Sequence, residues 1–157
     1  MPVHAKLAGP FQDADTEQAV RERLRALPQV EYVGPQYGAA KDAFYAGIDA
    51  LVFPTRYENQ TEGIVNHEAL SRGIPVIAYG RGCIPEIIGA DCGLVIDPAE
   101  PFVPAALAKL ENWLADPAPR RRASRRFALR GWRMKCRQRT SPRRRCSSWT
   151  CRASVVV

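Results

Sequence analysis

The sequence predicts an α/β fold, a mainly parallel sheet with helices on both faces. Strand-length apolar runs alternate with longer segments in which apolar residues recur at helical spacing, from Val3 to Ala115. The runs Ala50–Phe53 and Val76–Tyr79 read as strands buried on both faces, the habit of parallel sheets. Between them Pro54 stops a strand, a polar loop follows, and Gly63 opens a helix. In open parallel sheets that order places a ligand crevice beyond the carboxyl ends of the strands.

The elements follow in order. Val3 to Ala8 reads as a short strand closed by Gly9-Pro10. From Asp13 to Leu27, positions 16, 20, 24 and 27 form the apolar or small stripe of an amphipathic helix, which Pro28 ends. Glu31 to Val33 is a second brief strand before Gly34-Pro35. Ala39 to Ala46 is a helix expected to turn Ala43, Phe44 and Ala46 to the core. Asp49 to Phe53 is the strand feeding the polar loop. The helix 63–72 stops at Gly73 with Pro75 two residues on, the usual C-terminal punctuation. Val76–Tyr79 is a strand, Ile84 to Ile88 a short helix and Gly93–Ile96 the last strand of the body. Pro101 to Ala115 is a helix with Val103, Leu107, Leu110 and Leu114 as its expected buried stripe.

The loop and helix at 53–70 carry the chemistry. A helix opening at Gly63 presents free backbone N–H groups, and the positive end of its dipole, to the crevice, which suits an anion. Glu68 lies one turn after Ile64 and can face the same crevice. His67 reads as a helix-surface residue, Glu86 as a charge at a helix start.

These residues resemble a known family. Pro54-Thr55-Arg56-Tyr57 with Asn59, then Gly63 and Glu68-Ala69-Leu70, is similar to the donor-site signature of retaining GT-B glycosyltransferases, family 4 or group 1 in type. Gly73, Pro75-Val76-Ile77-Ala78 and Arg81-Gly82-Cys83-Ile84-Pro85-Glu86 extend the match, which covers the chain from about Ala5 to Pro117. The resemblance implies a Rossmann-like C-terminal half that binds a nucleotide-sugar. It further implies sugar transfer to a sugar or lipid-linked acceptor with retained configuration, without metal or other cofactor. Two glutamates separated by seven residues mark that family's site. The second corresponds to Glu68, at the ribose; the first, at the donor sugar, falls on Gln60. Both are the expected catalytic positions. Gly63, Ile64 and Val65 would meet phosphate or sugar oxygens through backbone N–H groups, with Asn59 and Arg56 beside them. An amide at Gln60 still bonds a hydroxyl, without the charge that strengthens the bond.

Compared with that family, the chain starts at the second strand. The first strand, its glycine turn, the cationic residues for the diphosphate and the N-terminal acceptor domain are expected to be missing, leaving a truncated fragment inactive alone. The expected strand order is 31–33, 4–8, 49–53, 76–79, 93–96, with 4–8 either paired directly to 49–53 or facing an empty slot. Non-hydrolysing sugar-nucleotide epimerases share the architecture and fit the Pro54–Gly63 wording less well.

Charge divides the chain in two. Residues 1–118 hold 9 Lys/Arg and 16 Asp/Glu, a net of −7; residues 119–157 hold 14 Lys/Arg and no acid, a net of +14. The boundary falls at Pro117-Ala118-Pro119. The body is thus read as 1–118 and the tail as 119–157, without a coherent period and expected to be disordered and outside the body's core. Its Arg, Ser, Cys, Trp and Pro also look like coding sequence translated out of frame. As a genuine arm its charge suits nucleic acid or an anionic membrane. The rival functions are therefore an inactive nucleotide-binding remnant, or an α/β module with a basic binding tail. Five cysteines without a C-x-x-C pair argue against a disulfide framework or a zinc site. No apolar run reaches membrane-spanning length and no signal-peptide pattern stands at the start, so the expected place is the cytoplasm, or the inner face of the membrane as a peripheral protein.

Overall fold

The computed structural model describes residues 3–90 and 92–116, together with the backbone strand 151–156. The elements in chain order are β1 (Val3–Ala8), α1 (Ala14–Arg25), β2 (Val30–Tyr32), α2 (Gly38–Ala46), β3 (Ala50–Phe53), α3 (Ile64–Ser71), β4 (Val76–Tyr79), α4 (Ile84–Ile87), β5 (Gly93–Ile96), α5 (Phe102–Ala115) and β6 (Cys151–Val156). All pairings in the six-stranded sheet are parallel, and the order is β2-β1-β6-β3-β4-β5.

Successive side chains of a strand point to opposite faces, and here each face meets helices. On β4, Val76 and Ala78 join a core with Phe44 and Tyr45 of α2, Leu70 of α3 and Ile84 of α4. Ile77 and Tyr79 point the other way, into a second core with Ala106, Leu110 and Trp113 of α5. Val76, Ile77 and Ala78 are each 0% exposed, which is why the run is apolar throughout instead of alternating. The expected fold class is the observed one.

Several local expectations need correction. Helix α5 buries Ala106, Leu110 and Trp113, with Phe102 packed beside them, while Val103 is 64% and Leu107 47% exposed. The spacing of three to four selected aliphatic residues; Leu110 is buried as expected, but at the other positions the helix uses the residue one earlier, which brings in its two aromatics. On α2, Phe44 is buried as expected, but its companion is Tyr45, with Ala43 and Ala46 exposed. Helix α1 has Asp13 as N-cap, accepting from the Thr16 N–H at 2.6 Å, yet contains no fully buried residue.

The largest difference concerns the tail. Strands β1 and β3 neither pair directly nor face an empty slot, because β6 stands between them. Residues 151–156, expected outside the body, lie at an interior position of its sheet. The rest of the tail reading falls on residues 119–150 and 157, which lie outside the described residues.

Candidate functional site

The loop 54–63 leaves the carboxyl end of β3 and returns to start α3. Gly63 caps that helix with φ +60°, a left-handed conformation that costs glycine nothing. A Cβ there would lie 2.7 Å from Asn66 Nδ2 and 2.9 Å from the Phe53 ring, so the position excludes a side chain on space as well as on torsion. The Asn66 side chain is 0% exposed and donates from Nδ2 to the Glu62 carbonyl at 3.3 Å, holding the loop to the first turn of α3. At the start of α3 the Asn66 N–H donates to Gly63 O at 2.8 Å, while the N–H groups of Ile64 and Val65 have no i−4 carbonyl of the helix to bond.

The Gln60 end of the loop is held from two sides. Within it the Gln60 N–H donates to Tyr57 O at 3.2 Å, and the Thr55 hydroxyl lies 3.4 Å from Gln60 Oε1. From outside, the turn after β4 presses on it: the Cys83 N–H donates to Thr61 O at 2.8 Å. Gly82 there has φ +53°, and a Cβ would fall 2.1 Å from Gln60 O and 2.3 Å from Thr61 O. The Gln60 amide is half-buried beside Gly63, 3.5 Å from where a Cβ of that residue would stand. Gln60 and Gly63 are thus brought together. Asn59 and Arg56 are exposed in the same loop, and Ile64, at 73% exposed, projects from the start of α3. Val65 is half-buried, and its carbonyl lies 3.4 Å from the Tyr45 hydroxyl.

Glu68 is set by residues the sequence reading did not select. Lys41 Nζ donates to its Oε1 at 2.5 Å, and the Tyr45 hydroxyl donates to Oε2 at 3.0 Å. Both donors come from α2, and Tyr45 is 3% exposed. Burial pushes the Tyr45 hydroxyl well above the ordinary tyrosine value of 10.0, and the charge of Glu68 and the hydrogen bond to it push the same way. Tyr45 therefore stays a donor. Arg72 completes the joint between α2 and α3: it donates to Glu68 O at 2.9 Å, pairs with Asp42 at 2.6 Å and lies 4.7 Å over the Tyr45 ring. An ionised carboxylate offers about four lone-pair sites. Lys41 and Tyr45 use two, and the side chain keeps 22% exposure, so Glu68 can accept two further hydroxyl bonds.

His67 stands next to it with Nε2 3.5 Å from Glu62 Oε2 and 15% side-chain exposure, deeper than a surface position. Glu86 is in the first turn of α4, where a carboxylate suits the dipole. Among the described residues no group of three or more His, Cys, Asp and Glu side chains is placed to hold a metal ion. Nor is any helix long and apolar enough to cross a membrane.

Comparison with known proteins gives concordant results. The sequence profile of the family "Glycosyl transferases group 1" matches residues 2–129. The sulfoquinovosyl transferase SQD2 of Arabidopsis thaliana is 32% identical over 108 residues, spanning 66% of this chain and only 20% of that protein. Among solved structures, the C-terminal domain of a group 1 family glycosyl transferase, LpcC, from Francisella tularensis superposes with a TM-score of 0.63 at 16% identity, over 80% of this chain and 83% of that one. Sucrose-phosphate synthase from Thermosynechococcus elongatus gives 0.65 at 20% identity, over 82% of this chain and 40% of the other. HepE of Anabaena, solved in complex with UDP, gives 0.65 at 23% identity, over 81% and 35%. At these identities the solved structures carry the fold.

Proposed function

The chain belongs to the group 1 glycosyl transferases and has the Rossmann-like fold of GT-B domains, and from that membership we propose that it binds the nucleotide-sugar donor at the carboxyl edge of its sheet. Glu68 takes the two ribose hydroxyls, the amides of Gly63, Ile64 and Val65 meet phosphate or sugar oxygens, and Gln60 meets the sugar, with Asn59 and Arg56 at the rim. The observation that carries this reading is the Glu68 carboxylate, fixed by two donors from α2 with half its acceptor capacity left. A carboxylate held this way is preorganised, so less ordering cost falls on binding.

The reaction proposed for the family's donor site is sugar transfer with retention of configuration. As the leaving diphosphate gains negative charge, the free N–H groups at the helix start after Gly63 stabilise it. For these 157 residues we propose donor binding without turnover, in keeping with an amide at Gln60 and with the 20% of SQD2 that the chain spans. A sugar or lipid-linked acceptor, and an acceptor-holding domain, are the partners this reading requires.

The body is taken as 1–118, with β6 added to it from the basic segment 119–157. That segment's 14 Lys/Arg favour a second reading in which it also meets nucleic acid or an anionic membrane. Labelled-sugar transfer from several nucleotide donors, run beside nucleotide titration, tests the assignment. Saturable nucleotide binding without transfer is expected. Transfer above a Glu68→Ala control would overturn the claim of no turnover, and absence of nucleotide binding would overturn the site.

A further inference from the structure

The sheet is continuous only because β6 stands in it. Strand β1 pairs with β2 on one side and β6 on the other, and β3 pairs with β4 and β6. Without β6 the sheet divides into a two-stranded and a three-stranded piece, with edges facing each other across about two strand spacings, roughly 9–10 Å. Each edge would carry unpaired N–H and C=O groups, a template for another strand. The fit of β6 is full along β1, six register pairs from Val3↔Cys151 to Ala8↔Val156, and runs over three pairs of β3 from Ala50↔Ala153 to Val52↔Val155.

Ladders of this kind recognise main chain, so an identical strand from another molecule fits equally well. Helix α5 ends at Ala115 and β6 begins at Cys151, so 35 residues join them. A chain of that length reaches up to about 115 Å when extended, far enough to cross to a neighbour. Charge allows the crossing as readily as the internal pairing. The segment that ends in β6 carries +14 and the body −7, so each tail is attracted to a second body as it is to its own.

We infer that the position between β1 and β3 is a strand-exchange site, whose second occupant is residues 151–156 of another copy of this chain in a reciprocal two-fold dimer. In each half the partner's strand completes the sheet, and so the carboxyl edge from which Gly9 and Pro54 lead away. Reciprocity follows from the edges: a copy that has given up its strand has an open slot, and its partner's freed strand closes it. The tether sets the concentration scale. An intramolecular strand competes at an effective concentration of about a millimolar, so exchange belongs to protein concentrations near that value.

The test uses the full chain and the register. One copy carries His4→Cys and a second Arg152→Cys, a paired position at which His4 is exposed. Facing Cα atoms on neighbouring strands lie about 5 Å apart, within disulfide range. The two copies are mixed equally, unfolded and refolded together at about 1 mM or about 5 µM, oxidised and peptide-mapped. A 4–152 link between copies is expected at the high concentration and at least tenfold less at the low one. A single chain carrying both substitutions should form the link internally at the low concentration. Ala153→Pro, added to the donor copy, should abolish the link between copies. Lys6→Cys with Ser154→Cys, the next pair on the same face, repeats the measurement in case the first pair perturbs folding. Absence of links between copies at 1 mM in both pairs overturns the inference. So does a link that survives Ala153→Pro, or an internal link missing from both double variants.

Discussion

Gly82→Ala should loosen the sugar end of the proposed site while leaving its ribose end in place. The added Cβ would stand 2.1 Å from Gln60 O and 2.3 Å from Thr61 O, both backbone atoms, so the 60–61 loop must retreat by more than an ångström to reach ordinary contact. Retreat breaks the 2.8 Å bond from the Cys83 N–H to Thr61 O, worth about 1 kcal/mol. Alanine held at φ +53° adds about 1–2 kcal/mol. The total of roughly 2–3 kcal/mol corresponds to a fall in melting temperature of about 5–10 °C for a chain of this size. Thermal unfolding followed by circular dichroism reads the stability, and calorimetric titration reads binding. The preference for a nucleotide-sugar over the bare nucleoside diphosphate should shrink, because Gln60 moves with the loop. Affinity for the bare diphosphate should hold, because Glu68 is fixed from α2 on the other side. An unchanged melting temperature would refute the packing argument, and an equal loss for both ligands would refute the division of the site.

Leu51→Ala opens a cavity at a residue with no exposure between α2, α3 and the sheet, and should cost about 2–5 kcal/mol, read as a lower urea midpoint at unchanged slope. Tyr45→Phe removes one donor from Glu68 and should weaken ribonucleoside diphosphate binding several-fold while lowering binding of the 2′,3′-dideoxy analogue less; equal losses would mean that Tyr45 only braces α2 against α3. The raised value of the Tyr45 hydroxyl gives a signed pH dependence. Above pH 10.0 the unfolded chain releases that proton while the folded chain keeps it, so stability should fall with further rise in pH, and Tyr45→Phe should flatten the decline. Identical alkaline slopes for parent and variant in urea titrations would count against the buried hydroxyl.

Much of the body was legible because its signals are local. Pro54, Gly63, Gly73 and Pro75 punctuate the chain where the structure turns, and Val76–Tyr79 shows its double-sided burial in four letters. Glu68 could be picked out as a candidate site residue from its distance to Gly63, but its holders were not legible. Lys41 and Tyr45 reach it from 27 and 23 positions away, and nothing in the spacing of α2 distinguishes a buried tyrosine hydroxyl from a surface one. The stripe of α5 was misassigned because regular aliphatic spacing outweighed Phe102 and Trp113, whose larger area decides which face is buried. Strand β6 was hidden for another reason. Val155-Val156-Val157 is a β-branched run, yet it closes an Arg-rich segment, and only the gap between β1 and β3 gives it a place.

The central claim, that the carboxyl edge of this sheet holds a ribonucleotide through Glu68, is tested most directly by calorimetric titration of the full chain. UDP and the other common ribonucleoside diphosphates are compared with their 2′,3′-dideoxy counterparts, on the parent and on Glu68→Gln. The expected result is saturable one-to-one binding of at least one ribonucleotide and a clear preference over its dideoxy form. Glu68→Gln should lower ribonucleotide affinity about tenfold or more, the equivalent of one carboxylate–hydroxyl bond at about 1.5–3 kcal/mol, and erase most of that preference. Binding that ignores the ribose hydroxyls, or that survives Glu68→Gln unchanged, would contradict it.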